Sequence, residues 1–201
     1  MTGPVRIAES LTGERESGLS PAGFPEKFSR RSTSQPPRGK TTMTIKPGDR
    51  VPYVTVGTMT ADGPDVMSTA DLFAGKTVAL FGLPGAFTKT CSSLHLPGFI
   101  YNADKFKEKG VDSIACLSVN DPWVMDAWAK DQKSGDKIVM LADGALNFTR
   151  EAGLEVDLND KCYGPRCKRF SALVEDGVVK TLHFEEGGFG ETSAERLLED
   201  L

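Results

Sequence analysis

From Met43 onward, short runs of β-branched and aromatic residues, most of them bounded by Gly, Asp or Pro, read as strands over Pro52–Val56, Lys76–Leu83, Val111–Val119, Lys137–Ala142, Arg169–Glu175 and Val178–Phe184. Helices are expected between and after them, at Thr69–Phe73, Ser92–Lys109, Asp121–Gln132, Asn147–Ala152 and Ser193–Leu201. Pro122 stands at a first helical position behind an Asp121 cap, and Thr192-Ser193-Ala194-Glu195 has the spacing of a capping box. Residues 1–42 differ: rich in Ser, Thr, Gly, Pro and Arg, they carry no periodic apolar pattern and cannot build a core.

Strands separated by helices at these spacings imply parallel pairing through right-handed crossovers. The Asp176-Gly177 pair between two apolar runs instead signals a tight antiparallel hairpin. A central mixed sheet flanked by helices, ending in a hairpin and a C-terminal helix, is the layout of a thioredoxin-like α/β fold. Two segments follow: 1–42, an N-terminal extension, and 43–201, one domain. The extension fits an organelle transit peptide in its Ser and Arg content, although Glu9, Glu14, Glu16 and Glu26 run against that reading; a plain tail, or initiation at Met43, is the alternative.

Charge narrows the function. The formal net charge of -4 divides into a basic extension, with seven Lys/Arg against four Glu, and an acidic body. An acidic body lacks the clustered cations that nucleic acid requires, and no apolar stretch is long enough for a membrane span. The four cysteines at 91, 116, 162 and 167 follow no secretory leader, so a reducing intracellular compartment is expected, the cytoplasm or, with a transit peptide, a chloroplast or mitochondrion. With only His95 and His183 to help them, they do not form a zinc set, and no cofactor is expected.

The chemistry concentrates where the apolar run Val78-Ala79-Leu80-Phe81-Gly82-Leu83 enters Pro84-Gly85-Ala86-Phe87-Thr88-Lys89-Thr90-Cys91. A cysteine at the start of the next helix meets unpaired amides and the positive end of the helix dipole, both of which favour a thiolate. Pro84 and Gly85 shape a loop, and Thr88 and Thr90 put hydroxyls where a buried apolar cysteine would have aliphatic neighbours.

Pro84-x-x-x-Thr88-x-x-Cys91 matches the peroxiredoxin signature, and Pro84-Gly85-Ala86-Phe87-Thr88, Cys91-Ser92 and His95-Leu96-Pro97-Gly98-Phe99 resemble the type II, peroxiredoxin-5-like subfamily, plant and algal members most. The likeness runs on through Ser118-Val119-Asn120-Asp121-Pro122, Gly164-Pro165-Arg166-Cys167-Lys168-Arg169-Phe170 and Glu185-Glu186-Gly187-Gly188, so it covers nearly all of 43–201. It implies a thiol peroxidase that reduces hydrogen peroxide and organic hydroperoxides. Cys91 would be the attacking sulfur, Thr88 would hydrogen-bond the peroxide, Arg166 would hold sulfur and substrate oxygens, and Pro84 would limit water access. Cys116 would be a resolving partner in the same chain. Otherwise glutathione or glutaredoxin, ahead of thioredoxin, would attack the sulfenic acid. A homodimer is implied through an aromatic face, for which Trp123 and Trp128 are candidates.

The sequence departs from that family at Lys89, usually a second proline, and at Cys162 and Cys167, either of which could join a disulfide. His95, four residues after Cys91, is a candidate base but fits a structural hydrogen bond better. Two other functions compete. A redox sensor or thiol relay would need only an accessible thiolate, and a cysteine hydrolase would need a histidine base with an orienting partner.

Overall fold

The computed structural model describes residues 43–185 and 188–201. The expected extension, 1–42, and the pair Glu186-Gly187 lie outside the described residues. The chain starts with the hairpin β1 (Thr55–Thr60) and β2 (Gly63–Ser68), then α1 (Thr69–Phe73) and β3 (Thr77–Leu83). A π-helical turn (Cys91–His95) opens α2 (Leu96–Glu108), followed by β4 (Ser113–Ser118), α3 (Pro122–Asp131), β5 (Val139–Ala142) and α4 (Asn147–Glu151). A small second sheet pairs β6 (Glu155–Leu158) with β7 (Gly164–Cys167) before β8 (Phe170–Glu175), β9 (Val178–Phe184) and α5 (Ala194–Leu198) close the fold.

The main sheet has seven strands in the order β2-β1-β5-β4-β3-β8-β9. The central β3, β4 and β5 are parallel, whereas β8 runs antiparallel to both β3 and β9, which gives the thioredoxin-like mixed sheet expected from the pattern. Each central strand is apolar through its middle because both its faces are covered. On one face Phe81, Phe99, Phe106, Trp128 and Leu197 pack among α2, α3 and α5. On the other, Leu80, Leu117, Phe148 and Phe170 pack toward α1 and α4.

Sequence reading missed three strands. The hairpin partner Gly63–Ser68 is mostly exposed and holds Pro64 and Asp65, so it lacks the apolar signature of a strand. The pair β6 and β7 has four residues a side, and Gly164-Pro165-Arg166-Cys167 shows no alternation. The first expected strand, Pro52–Val56, is displaced to Thr55–Thr60 because the ladder with β2 carries the pairing past Val56.

Register decides what stands at the carboxyl ends of β3 and β4. Gly82 faces Phe170 across the β3–β8 ladder, and a Cβ on Gly82 would lie 2.1 Å from the Phe170 ring. Glycine is therefore required for this close approach. The contact sets the start of β8, and with it Arg169, beside the loop that leaves β3.

Candidate active site

That loop, residues 84–88, bends through Phe87, whose φ of 60° is uncommon outside glycine and marks a backbone held by its surroundings. Asn120, after β4, holds it from the side: its Oδ1 accepts from Ala86 N–H at 3.0 Å and from Ser118 Oγ at 2.8 Å. The Thr88 hydroxyl donates to Gly85 O at 2.9 Å, which leaves its lone pairs free to accept a hydrogen bond from a bound molecule. Helix then begins, and Cys91 opens a wide turn closed by Leu96 N–H donating to Cys91 O, five residues back. Next to it, the Trp128 indole N–H donates to Ser92 Oγ at 3.0 Å, tying α3 to the turn.

Cys91 is fully buried, yet its sulfur is not in purely apolar surroundings. Arg169 Nη2 donates to Sγ at 3.3 Å. The same guanidinium reaches His95 Nδ1 through Nη1 at 2.9 Å, and His95 Nε2 lies 3.0 Å from Thr192 O. A carbonyl can only accept, so the ring proton sits on Nε2 and the bare Nδ1 accepts from Arg169. Burial, reinforced by the charge of Arg169 and only partly offset by the bond to Thr192, lowers the His95 pKa to about 3. The imidazole is thus neutral across the physiological range and fully spent on two structural hydrogen bonds. Sequence reasoning weighed it as a base; it is the rest for an arginine. A positive guanidinium fixed against sulfur is suited to a reaction in which charge builds on sulfur and on oxygens attached to it.

A family model described as Redoxin matches residues 46–198. Peroxiredoxin-2E, chloroplastic, of Arabidopsis thaliana is 46% identical over 165 residues, covering 80% of this chain and 70% of that protein. Peroxiredoxin-2B of the same plant is 47% identical over 161 residues, 78% of this chain and 98% of its own length. The chain belongs to the type II peroxiredoxins. Its activity is that of a thiol peroxidase. Among solved structures, reduced Prx3 of Vibrio vulnificus in complex with hydrogen peroxide superposes with a TM-score of 0.75 at 44% identity, covering 78% of this chain and 99% of that one.

The residues expected at the site of this peroxiredoxin are not all where the motif suggested. Arg166, expected on the sulfur, donates instead to Tyr163 O at 2.8 Å, Val119 O at 3.3 Å and Pro84 O at 3.4 Å. It braces the loops after β3 and β4, and the guanidinium at Sγ is that of Arg169. The reason is register: Arg166 is committed to the β6–β7 ladder opposite Val156, while Arg169 precedes β8 at the Gly82 contact. Pro84 is half-buried at the mouth of the loop, and its carbonyl takes the Arg166 bond. Lys89 is exposed and, among the described residues, its side chain makes no hydrogen bond to Cys91.

The other sulfurs are reduced. Cys116 is fully buried at the centre of β4, between Phe81 and Met140 in the neighbouring strands. Burial first, and proximity to Cys91 and Cys167 second, push its thiol well above the ordinary range. Cys167 packs on the opposite face of the sheet, where burial raises it to about 12. Cys162 is exposed, in a left-handed backbone conformation before β7.

Proposed function

We propose that Cys91 is the peroxidatic nucleophile. Its sulfur attacks one oxygen of a hydroperoxide and forms an S–O bond as the O–O bond breaks; the other oxygen leaves with the electron pair and takes a proton to become water or an alcohol. Sulfur is oxidised by two electrons to the sulfenic acid. Thr88 accepts a hydrogen bond from the hydroperoxide O–H, Pro84 screens the sulfur from water, and Arg169 takes the part first expected of Arg166, holding charge on sulfur and oxygen. Arg166 acts one step back, keeping the Pro84 and Val119 carbonyls in place. The observation that carries this reading is the 3.3 Å hydrogen bond from Arg169 to a sulfur at the head of a helix.

The sulfenic acid is reduced from outside the chain: a thiol of glutathione or glutaredoxin attacks it and releases water, and a second thiol then releases the mixed disulfide. Thioredoxin is the less favoured donor. Supporting an external thiol, Cys116 is locked in a central strand with a strongly raised pKa, so an internal disulfide would require β4 to open. The exposed apolar residues Phe87, Leu94 and Trp123 lie on the loop, turn and helix that carry or flank Cys91, and they support a homodimer through this rim. Trp128, the other indole considered for that face, is fully buried and belongs to the core. Residues 1–42 are proposed as a transit peptide removed before residues 43–201 act. The basic, Ser- and Arg-rich composition supports it, and so does similarity to a relative named as chloroplastic.

Stopped-flow consumption of hydrogen peroxide by wild type and Cys91→Ser, with glutathione plus glutaredoxin or with thioredoxin as electron source, tests the scheme. Turnover by the serine variant would remove Cys91 from its role, and faster turnover with thioredoxin would reverse the order of reductants.

A further inference from the structure

Past β9 the chain returns over the active site, so that Phe189 and Thr192 cover the ring of His95. Phe189 meets that ring edge-on at 5.4 Å between centroids and lies 5.9 Å from the Arg169 guanidinium carbon. In the same segment a single carboxylate oxygen collects three donors. Glu185 Oε1 accepts from Gly190 N–H at 2.9 Å, Thr192 N–H at 2.9 Å and Thr192 Oγ1 at 2.7 Å. Burial works against the charge, but these bonds and the nearby Arg169 hold the Glu185 carboxyl below its ordinary range.

Three donors on one oxygen fix Thr192 at two of its polar groups. Its remaining polar group, the carbonyl, points at His95 Nε2. That carbonyl decides which ring nitrogen carries the proton. With the proton on Nε2, Nδ1 presents a lone pair to Arg169. With the proton on Nδ1, two N–H groups would face each other and the guanidinium would turn away from the sulfur.

We propose that Glu185 is a positioning residue for the reaction at Cys91, acting through Thr192 and His95 to keep Arg169 on the sulfur. The proposal rests on the reading of Cys91 as the reacting group. Glu185 touches none of the reacting atoms; it sets the orientation of the group that does.

The test uses the full chain with Glu185→Ala, Glu185→Gln and Thr192→Val. Glutamine keeps an Oε1 acceptor and is expected to retain most of the wild-type rate. Alanine is expected to slow single-turnover oxidation of Cys91 by hydrogen peroxide about 10- to 100-fold, as displacement of a transition-state donor does. Thr192→Val, which deletes one donor and spares the backbone, is expected to fall between them and serves if the alanine variant does not fold. With ¹⁵N-labelled histidine, the His95 Nε2–H signal should persist in wild type and Glu185→Gln and be lost in Glu185→Ala. A wild-type rate in a folded alanine variant overturns the proposal, as does a slowed rate with the His95 signal intact. Peroxide turnover by Cys91→Ser would instead strike at the nucleophile assignment, so the two failures are distinguishable.

Discussion

Stability of this protein should fall on mild acidification because of His95, and the size of the effect follows from its surroundings. The ring is enclosed, in contact with Arg169, and carries a pKa of about 3 against 6.5 for a free histidine. Below pH 6.5 the unfolded chain binds a proton that the native state refuses. The unfolded form therefore gains about 1.4 kcal/mol for each pH unit, until the native ring also titrates near pH 3. Between pH 7.5 and pH 5 the integrated loss from this one residue is about 2 kcal/mol. The sign is that of a depressed pKa: the contribution is complete above 6.5 and drains away as pH falls. His95→Gln offers a donor and an acceptor in a similar place without titrating, so the variant should lack this component while sharing every other pH-dependent group. Urea unfolding of both proteins, followed by fluorescence and extrapolated to water at the two pH values, reads the difference. Equal pH dependence in the two proteins would refute the claim that a buried neutral imidazole supports Arg169, and a steeper dependence in the variant would reverse its sign.

Other consequences are accessible to the same assays. Arg169→Gln should cut the rate of Cys91 oxidation by about 10²- to 10³-fold, the effect of losing one charge-stabilising donor, and Arg166→Gln should cost less; stopped-flow measurements would find the reverse order if the arginine nearer the Pro84 loop did the chemistry. Gly82→Ala places a methyl group inside the Phe170 ring and should destabilise by about 1–3 kcal/mol in urea unfolding, with Phe170→Leu restoring part of the loss. Cys116→Ala should leave glutaredoxin-driven turnover close to wild type, whereas collapse of steady-state turnover would mean that β4 opens to supply a resolving thiol.

The fold was legible wherever local signals coincide with tertiary need. The Asp176-Gly177 turn does join β8 to β9, and Asp121 does cap α3, accepting from Val124 N–H at 2.9 Å. At the last helix the capping box is only half realised. Ser193 caps by accepting from Arg196 N–H, and Thr192, the residue expected to open the box, is drawn away to Glu185. In the site, the sequence around Cys91 and its loop pointed to the sulfur that a guanidinium meets in the structure. It could not separate two arginines three residues apart in Arg166-Cys167-Lys168-Arg169, because the answer lies in which ladder each one joins. The expected strand Arg169–Glu175 began one residue early, so Arg169, which stands just before β8, was counted into the sheet. The pairing of His95 with Arg169 had no trace in the sequence, since it depends on a chain segment 97 residues away that supplies the opposing carbonyl.

The wide turn between Cys91 and His95 accommodates one residue more than an ordinary α-helix would in the same span. Deleting a single residue there would let the helix close normally, at little loss of backbone bonding. A deletion one turn later, within residues 96–98, would by contrast swing Cys91 and His95 together about 100° around the axis relative to Phe99 and Phe106, which anchor α2. The sulfur and the imidazole would then both turn away from the Arg169 guanidinium, and no rotamer change could bring them back to it. The aim of the Cys91 sulfur is thus set by how many residues separate it from the anchoring rings, which point substitutions leave untouched and a one-codon deletion destroys.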